Sequence, residues 1–184
     1  SKTDDRLTQY IQSLNIEVFR GATHDVLNRA VSCASYLGVD KFVRINGDSP
    51  LIDPELLEKG IEMWTDPSLD LISNVFPRTY PVGMSVEIIK TDSLKKILSL
   101  TVDSCDREHV TRFFYRNPEK FRILNFESGR SELREVRLAV DTEEDLERID
   151  WLFKEFGGLI NFEMAAEKSS LWSSVECCLL YTSP

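Results

Sequence analysis

One segment constrains the possible folds of this chain more than any other: a strand that breaks at a glycine and re-enters a helix through Asp-Pro. Lys41-Phe42-Val43-Arg44-Ile45 alternates polar and apolar side chains, the period of a half-covered strand. Gly47 admits a backbone angle or a close approach that other residues resist. Asp53 then caps a helix whose first position is Pro54, running to about Trp64. Asp48 is left just past a strand end, where open α/β sheets bind their ligands.

A second acid stands in the same kind of place. Glu135–Val140 reads as a strand, Asp141 follows it directly, and Thr142 opens a helix with Asp145 in a capping-box arrangement. That helix carries Leu146, Ile149, Leu152, Phe153 and Phe156 on one face and ends at Gly157-Gly158. Two aspartates at strand ends can meet at one edge of a sheet. Hard oxygen donors of this kind suit Mg²⁺, which takes one or two carboxylates and completes its shell with phosphate and water. The plainer alternative is that each Asp only caps a helix or turn, since helix N-termini favour acids.

The remaining elements alternate. A helix over Asp4–Leu14 leads to a short strand, Glu17–Phe19, and a helix over Asp25–Leu37. After the helix at Pro54 come a strand, Leu69–Ser73, a proline-rich loop, Asn74–Gly83, a strand, Val86–Lys90, and a helix near Asp92–Leu98. A helix over Arg107–Arg116 stops before Pro118, and Phe121–Phe126 is a strand. Alternation of this kind predicts an α/β fold, a mostly parallel sheet between layers of helices. The expected domain is 1–158, with 159–184 a non-domain tail, artefactual or disordered, because no period survives there.

Charge and cysteines exclude some partners. The net charge of −9 leaves no basic stripe for nucleic acid. No apolar run is long enough to span a bilayer, so no membrane partner is expected. Cys33 and Cys105 are isolated, as reduced thiols of a cytoplasmic protein would be, and Cys177-Cys178 lacks zinc-ligand spacing. Exposed apolar surface leaves a homodimer open.

Five blocks occur in a diagnostic order: Val18-Phe19-Arg20-Gly21 with Asp25–Arg29, Arg44–Asp53, Ser73-Asn74 with Pro77–Pro81, Arg107–Thr111, and Val140-Asp141-Thr142. Together they resemble the cytidylyltransferase family, which includes CMP-Kdo synthetase and acylneuraminate cytidylyltransferase. The nearest branch is that of spore coat polysaccharide biosynthesis protein F. The resemblance implies a Rossmann-like, three-layer nucleotidyltransferase sheet of glycosyltransferase-A type. It implies transfer of CMP from CTP to a sugar or sugar acid, release of pyrophosphate, and a role in surface polysaccharide biosynthesis.

The same resemblance makes Asp48 and Asp141 the catalytic Mg²⁺ ligands and places Asp25, Arg29 and Gly47 beside the nucleotide. Arg78 and Tyr80, on the long loop, suit recognition of a sugar or its carboxylate, which an arginine fork can hold in two bonds. Glu87 and His109 are further substrate-binding candidates. A solvent-facing Arg29 or Arg78 and a structural His109 stay open as alternatives.

The sequence also departs from the family. Its glycine- and arginine-rich phosphate loop does not occur, so roughly 30 or more residues, one βαβ unit, are expected before Ser1. The first βα unit is therefore expected to be missing, and the fragment to be weak or inactive. Ser85 stands where relatives carry an aspartate. Two other readings remain, a glycosyltransferase of the same fold and a non-catalytic nucleotide-sugar-binding domain. The first usually needs Asp-x-Asp, and Asp48-Ser49-Pro50 lacks the second acid.

Overall fold

The structure, a computed structural model, describes residues 4–157 and 160–172. Helices α1 (Asp5–Ser13) and α2 (Val26–Leu37) precede strand β1 (Lys41–Arg44) and helix α3 (Pro54–Glu62). Strands β2 (Leu71–Ser73) and β3 (Glu87–Lys90) and helix α4 (Thr91–Leu100) follow. Then come α5 (Ser104–Glu108), α6 (Arg112–Arg116), β4 (Ile123–Asn125), α7 (Glu143–Phe156) and α8 (Phe162–Ser169). The strands form one sheet in the order β1-β3-β2-β4, flanked by helices. β2 and β4 run parallel with Leu71 opposite Ile123, so the expected α/β class is the observed one.

Two compact units divide the described residues, one within Ser1–Phe42 and Ile89–Phe121, the other within Val43–Ile88 and Arg122–Pro184. In the first, Asp25 caps α2 by accepting from the Asn28 N–H at 3.0 Å. Gly38 ends the same helix in the left-handed region, φ +64°. α2 packs on α4 and α5, burying Leu27, Leu94 and Ile97. In the second unit, Leu56, Ile72, Met84, Val86, Leu138 and Leu152 belong to one buried cluster. Burial of such side chains contributes about 1.5–3 kcal/mol each.

Several sequence expectations are corrected. Glu17–Phe19 is not a strand, although Val18 and Phe19 are half-buried. Val136–Val140 forms no ladder strand; its pairing is a single parallel bridge between Val82 and Arg137. The helix expected over Arg107–Arg116 is two, because the backbone leaves helical geometry at His109, φ −102° and ψ 89°, and Val110 and Thr111, 2% and 7% exposed, follow outside either helix. The tail expected from 159 begins too early. Ile160 and Ala165 lie in the second unit's core, and Asp53, while capping α3 through Glu55 N–H at 2.9 Å, also accepts from Phe162 N–H at 3.0 Å. Gly158, Leu159 and Ser173–Pro184, with Cys177-Cys178, lie outside the described residues.

The glycine that matters is not the one the sequence singled out. Gly47 has no positive φ, and a Cβ there would meet nothing within 4 Å. Gly83 sits at φ +102°, where an added Cβ would fall 2.6 Å from Leu138 C and 2.7 Å from Ala139 N. The missing side chain lets the chain at Val82 lie against residues 136–138. Val82 N–H donates to Val136 O at 2.9 Å and Leu138 N–H to Val82 O at 2.6 Å. Gly83→Ala is expected to lose at least about 2 kcal/mol in urea unfolding, combining positive-φ strain with overpacking. Gly47→Ala should stay within about 0.5 kcal/mol of the parent.

Candidate active site

The loop after β1 is pinned from below. Leu51 and Asp53 are buried at 3% exposure each, and Ser49 N–H donates to Asn46 O at 3.3 Å. Asp48 is left exposed on the resulting turn, its Oδ1 accepting from Ser49 Oγ at 3.0 Å. Its main-chain carbonyl accepts from Val140 N–H at 2.8 Å. This bond ties the Asp48 turn to the residue before Asp141, so the two aspartates expected at strand ends do lie on adjoining segments. Leu138 and Ala139 are buried, at 0% and 4%, and the chain then emerges at an exposed Asp141. Arg137 forms an ion pair with the Asp141 carboxylate.

Thr142 and Asp145 close a complete capping box at the start of α7. Asp145 Oδ2 accepts from Asp141 N–H at 3.1 Å, Thr142 N–H at 3.0 Å and Thr142 Oγ1 at 2.9 Å, while Oδ1 accepts from Arg148 Nη2 at 2.6 Å. Burial is the largest single influence and pushes this carboxyl up. The donors from Asp141, Thr142 and Arg148 together outweigh it and hold the pKa at about 2, below the ordinary 3.8.

The donor set, two exposed carboxylates on tied segments, is of the hard-oxygen kind that Mg²⁺ takes. No group of three or more His, Cys, Asp or Glu that could hold a metal occurs among the described residues, and a closed zinc-type cage needs four ligands.

The loop candidates have other occupations. Tyr80, a substrate-binding candidate, is placed in the core. It is 1% exposed, its ring set edge-on to Phe126 and Phe162, and its hydroxyl donates to Glu127 O at 3.1 Å. Glu87, another substrate-binding candidate, is likewise buried, 3% exposed, and accepts from Arg44 Nη1 at 2.5 Å. Arg78 donates to Pro81 O at 3.3 Å and Ser85 Oγ at 3.0 Å, bracing the half-buried loop. Asn74, fully buried, splices the loop's ends by donating to Met84 O at 2.7 Å and accepting from Val86 N–H at 2.9 Å. Sequence reasoning missed that role, which depends on partners ten and twelve residues along the chain.

In the first unit, Asp25 accepts from Arg107 Nη1 at 3.0 Å besides its capping bond. Arg107, read from the sequence only as part of a block, also donates to Thr101 O and Leu98 O at 3.1 Å each, anchoring α5. Arg29 donates to Ala22 O at 2.7 Å and, with Thr8, Phe19 and Arg20, lines a cleft of about 390 Å³. His109 is exposed at the end of α5. Each unit therefore carries part of the expected set, Asp25, Arg29 and His109 on one, the two aspartates on the other.

A profile of the cytidylyltransferase family matches residues 1–172, and the chain belongs to that family. An uncharacterized protein of Methanocaldococcus jannaschii is 34% identical over 164 residues, covering 89% of this chain and 66% of the relative. Spore coat polysaccharide biosynthesis protein SpsF of Bacillus subtilis is 30% identical over 158 residues, covering 85% and 65%. The chain thus spans slightly less than two thirds of these curated relatives. Among solved structures, a cytidylyltransferase from Leptospira borgpetersenii superposes with a TM-score of 0.88 at 27% identity, over 95% of this chain and 74% of that one. CMP:2-keto-3-deoxy-manno-octonic acid synthetase complexed with CTP shares the fold at a TM-score of 0.60 and 15% identity, over 83% and 78%.

The Asp145 network carries a signature in acid. Its folded pKa is depressed, so its stabilisation is complete above the unfolded value near 3.8 and is lost as pH falls through about 2. The contribution should be about 1–2 kcal/mol after allowance for solvent screening. Between pH 4 and 2, the parent chain should lose more stability than Asp145→Asn by about that amount, read from urea midpoints across the pH series.

Proposed function

We propose that the protein transfers CMP from CTP to a sugar or sugar acid and releases pyrophosphate, in the cytoplasm and in support of surface polysaccharide synthesis. Membership in the cytidylyltransferase family supports the nucleotide chemistry. The spore coat polysaccharide relative supports the biosynthetic setting. Free Cys33 and Cys105 suit a reducing compartment. The observation that carries the reading is the hydrogen bond from Val140 N–H to Asp48 O at 2.8 Å, which sets two exposed aspartates on tied segments.

In this reaction a sugar hydroxyl oxygen attacks the α-phosphorus of CTP and gives up its proton to solvent, the new O–P bond forms, and the bond from that phosphorus to the α,β-bridging oxygen breaks as pyrophosphate leaves. Asp48 and Asp141 would hold Mg²⁺, which when bound supplies charge neutralisation at phosphate oxygens. Arg137, paired with Asp141, keeps a cation beside that carboxylate. Arg29, on the cleft of the first unit, is the residue we assign to the nucleotide. Arg78 is assigned to the sugar only through its hold on the loop at Ser85.

Thermal unfolding with Mg²⁺ and each of CTP, ATP, GTP and UTP tests this reading. Ligand at about 100 times its dissociation constant stabilises by roughly 2.7 kcal/mol, a shift on the order of 5–10 °C for a chain of this size. The expected result is a CTP-selective, Mg²⁺-dependent shift that Asp48→Asn abolishes. Equal shifts with all four nucleotides, or a CTP shift unchanged in Asp48→Asn, would contradict it.

A further inference from the structure

The geometry points to Asp145 as a positioning residue for the divalent-cation site: its buried carboxylate fixes the backbone at Asp141 and thereby the direction of the Asp141 side chain. The inference rests on the reading of Asp48 and Asp141 as cation ligands and goes beyond it.

Capping alone does not account for the arrangement. A capping box asks the residue at the third helical position to return one bond, to the N–H of the cap residue. Asp145 makes that bond to Thr142 N–H at 3.0 Å and a further one to Asp141 N–H at 3.1 Å, outside the helix. Asp141 is thus gripped at its own amide, while the residue before it is gripped through Val140 N–H to Asp48 O at 2.8 Å. The two peptide groups that flank Asp141 are both held by the Asp145 carboxylate, through Asp141 N–H and Thr142 N–H, and the peptide group before them is held by Asp48 O.

Burial makes the hold rigid. Asp145 is 7% exposed, and its second oxygen is taken by Arg148 Nη2 at 2.6 Å, with the Arg148 side chain itself only 14% exposed. The carboxylate cannot rotate away without leaving that guanidinium buried and uncompensated. Outer groups that orient a metal ligand typically set affinity by about 10- to 100-fold.

Mn²⁺ binding, followed by water-proton relaxation on the chain without nucleotide, tests the inference. Asp145→Ala removes the acceptor and should weaken Mn²⁺ by about tenfold or more. Asp145→Asn keeps one acceptor oxygen for the Asp141 and Thr142 donors and should recover most of the affinity. Asp103→Ala removes the cap of α5 on the other unit, and should lower stability without changing Mn²⁺ affinity. Parent-like binding by Asp145→Ala, or equal weakening by the Ala and Asn variants, would overturn the positioning role, the latter by showing that charge alone acts. Asp48→Asn and Asp141→Asn separate the two readings. Should neither weaken Mn²⁺, the cation site itself is wrong and the inference falls with it. Should both weaken it while Asp145→Ala does not, the site stands and only the positioning role fails.

Discussion

A single backbone bond, Val140 N–H to Asp48 O, organises the candidate site. It closes a long stretch of chain and must be supported on both sides, because loop closure costs entropy that one hydrogen bond, worth about 1 kcal/mol net, does not repay. The support is visible. Below Asp48, buried Leu51 and the doubly bonded Asp53 fix the turn. Beside Val140, the bridge to Val82 fixes residues 136–138, and that approach exists because residue 83 has no Cβ. Exposed carboxylates on a rigid, buried base are what a cation-binding edge requires.

The chemistry then follows from where the polar groups are spent. Arg107, Glu87, Asp106 and Asn74 are consumed in internal bonds: Asp106, 3% exposed, accepts from Arg112 Nη1 at 2.6 Å, and Glu87 accepts from Arg44. Asp48 and Asp141 differ in being presented outward. A buried acid with a dedicated arginine reads as structure, while an exposed acid on an over-determined loop reads as function.

Local rules made part of this legible in the sequence. Asp53-Pro54 and Thr142 with Asp145 were recognisable because caps depend on residues a few positions apart, and the structure shows both. Of the apolar face read for α7, Ile149 and Leu152 are buried while Leu146 and Phe156 are exposed, because periodicity marks a face but not how far a neighbour covers it. What stayed hidden depends on distant partners. Tyr80 sits in a proline-rich loop with a polar tip, and only Phe126 and Phe162 make it core. Glu17–Phe19 has the composition of a strand, yet strand identity needs a neighbour to bond. Val136–Val140 reads as a strand, but a single bridge is all the ladder it forms. Gly83 looked like any loop glycine, since the clash it avoids is with Leu138 and Ala139.

If Asp48 and Asp141 share one divalent cation, anomalous X-ray scattering from crystals grown with CTP and Mn²⁺ will locate it between them. The expected result is a single strong anomalous peak within bonding distance of both carboxylates, with a CTP phosphate oxygen in the same coordination shell. A peak bonded to neither aspartate, or to one of them with the other turned away, would contradict it.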